Sequence, residues 1–117
     1  MSSLETPGEP VLPTKLLADL DDLVQALRKS LPLSTVWQRQ LHLHLDDMDR
    51  GIQILRLTVA MQRGAGEHND AVLAVLKPAR AANAYVAMGR ADMGTKAAVR
   101  LTFEMSRQLA KVSSISM

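Results

Sequence analysis

The sequence predicts an all-α protein: a small four-helix bundle with one long central helix and a third helix kinked at Pro78, present as a dimer. The first observation behind this fold class is composition. Apolar residues make up 47% of the 117 residues, but the chain has only one Trp, one Tyr and one Phe. Its core must therefore consist of Leu, Val, Ile, Ala and Met, a mixture that favours helices over strands. The second observation is that apolar residues recur at helical spacing along most of the chain.

The chain is long enough for one domain. We predict a disordered leader over residues 1–13, a single helical-bundle domain over residues 14–113 and a frayed tail over residues 114–117. The leader is rich in Ser, Pro and Gly, and it has neither helical periodicity nor the pattern of a signal peptide. No segment approaches the roughly 20 apolar residues of a membrane span. The chain also has no cysteine, which fits a reducing compartment. We therefore expect a cytoplasmic protein with no membrane partner.

The second predicted helix starts after Ser34 and runs to about Arg63, which is longer than an average helix. Its apolar residues form two stripes. The first stripe is Trp37, Leu41, Leu45, Met48, Ile52, Leu55 and Val59. The second is Val36, Leu43, Ile54, Leu57 and Met61. A helix that is apolar on two sides is either central in a bundle or shared between two chains. Shorter neighbours cannot cover both sides, so we interpret the second stripe as a protein interface.

The first and the last helices each have a single apolar face. The first is predicted from Lys15 to Ser30, with Thr14 as its N-cap. The third is predicted from Ala71 to about Met88 after a break at Gly64–Gly66, and it is rich in alanine beyond Pro78, which should kink it. The fourth is predicted from Lys96 to about Val112.

The sequence shows no pattern typical of a catalytic or metal site. His42 and His44 are two residues apart, so on a helix their rings point about 200° apart, whereas a shared metal needs a spacing of four. The acidic residues Asp46, Asp47 and Asp49 point in different directions around the same helix, which favours a solvated, ion-paired face. We predict no catalytic residues, no metal and no cofactor. A ligand pocket inside the bundle would need convergent polar groups, and the sequence offers few.

Two features permit nucleic-acid binding. The segment 23–39 loosely resembles the helix-turn-helix unit of repressors, although its turn contains Leu-Pro-Leu and its second helix is too long. The last helix presents a basic stripe within about 60° on the helical wheel, consisting of Lys96, Arg100, Arg107 and Lys111. Such a stripe could contact phosphates, or it could simply be a solvated face.

Charge is divided unevenly along the chain. Residues 1–50 contain five Lys/Arg and eight Asp/Glu, a net −3, whereas residues 51–117 contain nine and four, a net +5. The division could join two copies head to tail or present a basic face to an acidic partner, and helix faces that differ by chance would also produce it.

From these features we predict a non-enzymatic regulatory or adaptor protein, for example an inhibitor or antiactivator of a regulator. It would bind another protein through the second stripe of helix two and would form a homodimer. The alternative is a nucleic-acid-binding protein that uses the basic stripe.

Overall fold

A computed structural model describes residues 14–115, with side chains through Val112, and this part of the chain folds into four helices with no strand. The predicted leader and residues 116 and 117 of the predicted tail lie outside the described residues. The helices are α1 (Thr14–Ser30), α2 (Val36–Ala60), α3 (Ala65–Ala87) and α4 (Met93–Ile115). The predicted all-α fold of four helices is therefore confirmed.

The helices form a closed ring of neighbours in which α1 packs on α2, α2 on α3, α3 on α4, and α4 on α1. Each helix turns its apolar stripe toward the centre of the ring, as expected for a bundle. The largest side chains with no exposed surface come from α1, α2 and α4: Leu20, Leu41, Leu45, Met48, Ile52, Leu55 and Leu109. The core is thus built from aliphatic residues and methionine, as the composition predicts.

The start of α2 is fixed by a capping box. The Thr35 hydroxyl accepts a hydrogen bond from the Gln38 backbone N–H (3.4 Å), and the Gln38 side-chain oxygen accepts one from the Thr35 N–H (3.0 Å). The N-cap is therefore Thr35 rather than the predicted Ser34. The reason is the glutamine three residues after Thr35, which can bond back to the cap residue.

The end of α2 comes earlier than predicted, at Ala60 rather than Arg63. Gln62 adopts a left-handed conformation with φ of 53°. Its N–H donates to the Val59 carbonyl (3.1 Å), and the Arg63 N–H donates to the Thr58 carbonyl (3.1 Å). This pair of bonds is the Schellman motif that closes many helices. The chain then turns at Gly64, which is the N-cap of α3 rather than a break between helices.

The third helix begins at Ala65, six residues before the predicted start at Ala71. It runs through Pro78 as one helix, so the proline does not divide it, and a kink there stays a prediction. Pro78 has no N–H to donate to the Ala74 carbonyl four residues earlier. That carbonyl oxygen faces Gly51 of α2, where a Cβ atom would lie only 2.6 Å from it. The backbones of α2 and α3 therefore meet closely where both helices lack a bulky side chain.

The fourth helix begins at Met93 rather than Lys96 because Asp92 caps it. The Asp92 carboxylate accepts hydrogen bonds from the Thr95 backbone N–H (3.0 Å) and from the Thr95 hydroxyl (2.7 Å). A carboxylate at this position satisfies a free N–H group of the first turn and interacts favourably with the helix dipole.

Candidate protein-binding surface

The two apolar stripes of α2 have different environments. Leu41, Leu45, Met48, Ile52 and Leu55 of the first stripe are fully buried, and its end members, Trp37 and Val59, pack partly buried against the core. This stripe is thus the core face of α2.

The second stripe is uncovered. Its five members are Val36, Leu43, Ile54, Leu57 and Met61, and each of them is more than half exposed, from 51% for Met61 to 72% for Val36. We call these five residues the α2 outer face. Among the described residues 14–115, the helices packed on α2 are α1 and α3, so none of the four described helices lies against its outward side. Within one chain these residues are not core. Their role as an interface is a prediction that the fold leaves open.

Polar residues interrupt the middle of the α2 outer face. Asp47 and Arg50, one turn apart, form an exposed ion pair between its two apolar halves. On the side facing α3, the His44 ring lies 5.8 Å from the Tyr85 ring. A polar border around apolar residues is typical of protein interfaces, whereas a charged pair at the centre is not and divides this face into two apolar halves.

The border on the other side is a polar seam between α1 and α2. The Arg28 guanidinium contacts Asp46 (3.0 Å) and Asp49 (3.2 Å). At the far end of the seam, Arg56 contacts Asp21 (2.5 Å). The residue numbers rise along α2 as they fall along α1, so the two helices are antiparallel. The predicted ion pairing of the acidic cluster is present, but the cation for Asp46 and Asp49 comes from α1.

The seam also decides the helix-turn-helix alternative. Paired helices in that motif cross at roughly 90–120° and touch near one point. Here ion pairs join the helices from Arg28–Asp46 at one end to Asp21–Arg56 at the other. This is a side-by-side helical hairpin, so the loose resemblance over residues 23–39 does not extend to the geometry.

The three histidines lie apart. The His42 ring contacts the carbonyl oxygen of Leu31 (3.0 Å), the residue that follows α1, whereas the His44 ring lies beside the Tyr85 ring. His68 lies within α3, because that helix starts at Ala65, before the predicted Ala71. Within residues 14–112, no three His, Asp or Glu side chains are grouped as a metal site.

The buried polar side chains of the described core are bonded within their own helices. The Thr58 hydroxyl donates to the Ile54 carbonyl (2.8 Å), Thr102 to Val99 (2.6 Å) and Ser106 to Thr102 (2.8 Å). These hydroxyls are therefore committed to the backbone and do not converge on a cavity.

The basic stripe of α4 lies on the surface beside α3. Arg107 and Lys111 line a groove together with Arg80 of α3. Lys96 and Arg100 lie further along the helix and line a second, more apolar groove. Arg80 has no local sequence signal, because it stands alone between Ala79 and Ala81, and the packing of α3 on α4 brings it to the stripe.

In residues 14–115 the fold and its surface thus define a class: a four-helix bundle in which α2 carries an exposed apolar face. The chain matches no known family, no curated protein and no solved structure. Of the four described helices, none combines the length and hydrophobicity needed to cross a bilayer.

Proposed function

We propose that this chain is a non-enzymatic regulatory or adaptor protein of the cytoplasm that binds another protein through the α2 outer face. Inhibition of a regulator, as an antiactivator, is one form that this activity would take. One observation carries the proposal: four large apolar side chains of α2 and Met61, its C-cap residue, stay more than half exposed after the bundle has folded.

The physical support is the cost of leaving such a face in water. Monomeric soluble proteins rarely expose large contiguous apolar patches, and a patch with a polar border marks an interaction site. Two of the five residues, Leu43 and Leu57, lie on opposite sides of the central ion pair. A partner would therefore contact both halves of α2, in the manner of a helix packed along a groove.

The α2 outer face also supports the proposal of a homodimer. A second copy supplies the same surface, and self-complementary surfaces are the usual basis of twofold dimers. The alanine-rich α3 borders this face, and its exposed Ala74 and Ala81 would let a second chain approach closely.

Affinity capture from the source cell tests the proposal. Tagged wild-type protein is compared with the variants Leu57→Asp and Leu73→Asp. Leu73 is a matched control because it is an exposed leucine (44%) on α3, outside the α2 outer face. We expect the wild type and Leu73→Asp to retain the same partner and Leu57→Asp to lose it, while all three keep the same helical circular dichroism. Equal retention by all three would contradict the proposal.

The second candidate function is nucleic-acid binding by Lys96, Arg100, Arg107 and Lys111. The observation that favours it is that Arg80 adds a fifth cation beside the stripe. Against it, Arg100 is already near Glu104 (3.6 Å), and the Arg107 guanidinium lies over the Phe103 ring. Phosphate contacts predict binding that weakens steeply with salt and is reduced in Arg107→Gln. No binding to a generic duplex at low salt would exclude this function.

A further inference from the structure

The α2 outer face has the spacing of a coiled-coil seam. Along the exposed side of α2, positions follow one another in alternating steps of four and three residues. They are Val36, Gln40, Leu43, Asp47, Arg50, Ile54, Leu57 and Met61, and all eight are exposed. This alternation is the heptad pattern that keeps one seam facing a partner helix. A seam of this kind fits a helix better than it fits a flat surface or an extended peptide.

These eight exposed positions of α2, which are distinct from the polar seam between α1 and α2, are also complementary to themselves when the helix is reversed. Counted outward from a midpoint between Met48 and Asp49, each member meets its counterpart. The pairs are Asp47 with Arg50, Leu43 with Ile54, Gln40 with Leu57, and Val36 with Met61. The charged pair is central, and every other pair contains at least one apolar side chain.

We propose that the α2 outer face binds a second copy of this chain, with the two α2 helices antiparallel and centred between Met48 and Asp49. The proposal rests on the proposed function of this face and adds the orientation and register in which a second copy would bind. In this arrangement Asp47 of each chain lies opposite Arg50 of the other. A parallel pair would instead place Asp47 against Asp47 and Arg50 against Arg50, and like charges at such positions are repulsive.

The borders of the seam are compatible with this register. On the side facing α1, a twofold arrangement brings Asp46 near Gln53 of the second copy and Arg39 near Ala60. On the side facing α3, the position opposite His44 in the second copy is Gly51, which is buried against Ala74 and carries no charge. None of these neighbours opposes a like charge, so the central Asp47–Arg50 layer sets the orientation.

The pairing is expected to be reversible. Its helix has 25 residues, or about 37 Å at about 1.5 Å per residue. Three of the eight seam positions are polar. Such an interface is smaller and wetter than that of a permanent dimer. The second copy and a foreign partner would compete for one face. A partner of higher affinity would therefore dissociate the homodimer and replace the second copy.

Sedimentation equilibrium of the purified full chain tests the charged layer. We expect a concentration-dependent dimer in the wild type. R50E, which places four carboxylates at the centre, should raise the dissociation constant at least about tenfold, and D47K should do the same with four cations. An equal mixture of R50E and D47K should form the heterodimer. R100E is the matched control, since Arg100 and Arg50 are 73% and 72% exposed and each pairs within its own helix.

Engineered cysteines test the register, and the absence of native cysteine leaves only the introduced thiols to react. L43C and I54C single variants are mixed in equal amounts and oxidised. The antiparallel register predicts that the 43–54 disulfide exceeds both 43–43 and 54–54 disulfides. All variants replace exposed side chains, and unchanged circular dichroism verifies that they fold.

A wild type that stays monomeric at every concentration, a dimer equally stable in R50E and R100E, or a predominance of 43–43 disulfide would each overturn the proposal. Failure here is distinct from failure of the proposed function. If the wild type is monomeric but its foreign partner is lost in Leu57→Asp, the proposed function stands and self-pairing is excluded. If the wild type dimerises but captures no other protein, self-pairing stands and the proposed function is excluded.

Discussion

At the scale of single residues, Gly51 is a position where the fold has no room for a side chain. A Cβ atom there would lie 2.6 Å from the Ala74 oxygen and 2.9 Å from the Ala74 carbonyl carbon, and both are backbone atoms that cannot rotate away. Gly51→Ala gains about 1 kcal/mol of helix propensity, but overpacking costs about 1–3 kcal/mol. Because the clash is severe, we expect a net loss of about 1–2 kcal/mol in urea unfolding.

Gly66 provides the matched control for this prediction. It lies in the first turn of α3, and a Cβ atom there would meet nothing within 4 Å. Gly66→Ala should therefore stabilise the fold by up to about 1 kcal/mol. If both alanine variants were stabilising, the close approach of α2 to α3 would be incorrect.

Gln62 is the second residue whose backbone predicts a substitution effect. Its φ of 53° is left-handed, which costs a non-glycine residue about 1–2 kcal/mol. Gln62→Gly removes this strain but gives the unfolded chain more freedom. We expect a net gain of about 0.5–1 kcal/mol in thermal unfolding, and no gain for Gln62→Ala. A destabilised Gln62→Gly would show that the Schellman turn is absent.

The pKa of the Asp92 carboxyl should depend on the hydrogen bonds by which Asp92 caps α4. The Thr95 hydroxyl and then the Thr95 backbone N–H hold the pKa of Asp92 below its ordinary value of 3.8. Because the folded pKa is the lower one, the stabilisation is present above pH 4 and is lost as the pH falls through the folded pKa. Thr95→Val, which removes the hydroxyl donor, should raise the pKa of Asp92 toward 3.8, measured by NMR titration of the carboxyl carbon. An unchanged pKa would contradict the hydroxyl contact.

At the scale of elements, the seam between α1 and α2 predicts that Arg28 contributes to stability. Its side chain is one-third exposed and contacts two carboxylates of the neighbouring helix. Ion pairs in such networks contribute more to the free energy of unfolding than isolated surface pairs do. Arg28→Ala should therefore lower the free energy of unfolding by about 1 kcal/mol, and by less in high salt. Lys15→Ala, which breaks the exposed pair with Asp19 inside α1, should have no measurable effect. Equal effects of the two variants would show that the Arg28 contacts between α1 and α2 do not stabilise the fold.

The number of helices, their type and the core face of α2 could be predicted from the sequence, because a repeat near 3.6 residues specifies them. Helix ends could not. The cap at Thr35 depends on a bond from Gln38, and the end at Ala60 depends on a left-handed Gln62, a conformation that the residue type disfavours. The early start of α3 follows from the same turn, which frees Gly64 to act as a cap.

At the scale of the whole molecule, the packing of the bundle determines that the second stripe of α2 lies on the surface. The stripe itself was visible in the sequence, but its exposure depends on how many helices surround α2. Within the described part of the chain, the ring arrangement places α1 and α3 beside α2 and no described helix on its outward side. The gathering of Arg80 with Arg107 likewise depends on packing between helices and has no local sequence signal.

Site-specific photo-crosslinking in the source cell tests the binding role of the α2 outer face most directly. A photoreactive amino acid replaces Leu57 in one variant and Leu73 in the other. We predict a light-dependent adduct to a protein, either another chain or a second copy, at Leu57 and none at Leu73. No adduct at Leu57, or equal adducts at both positions, would contradict the claim that this face binds protein.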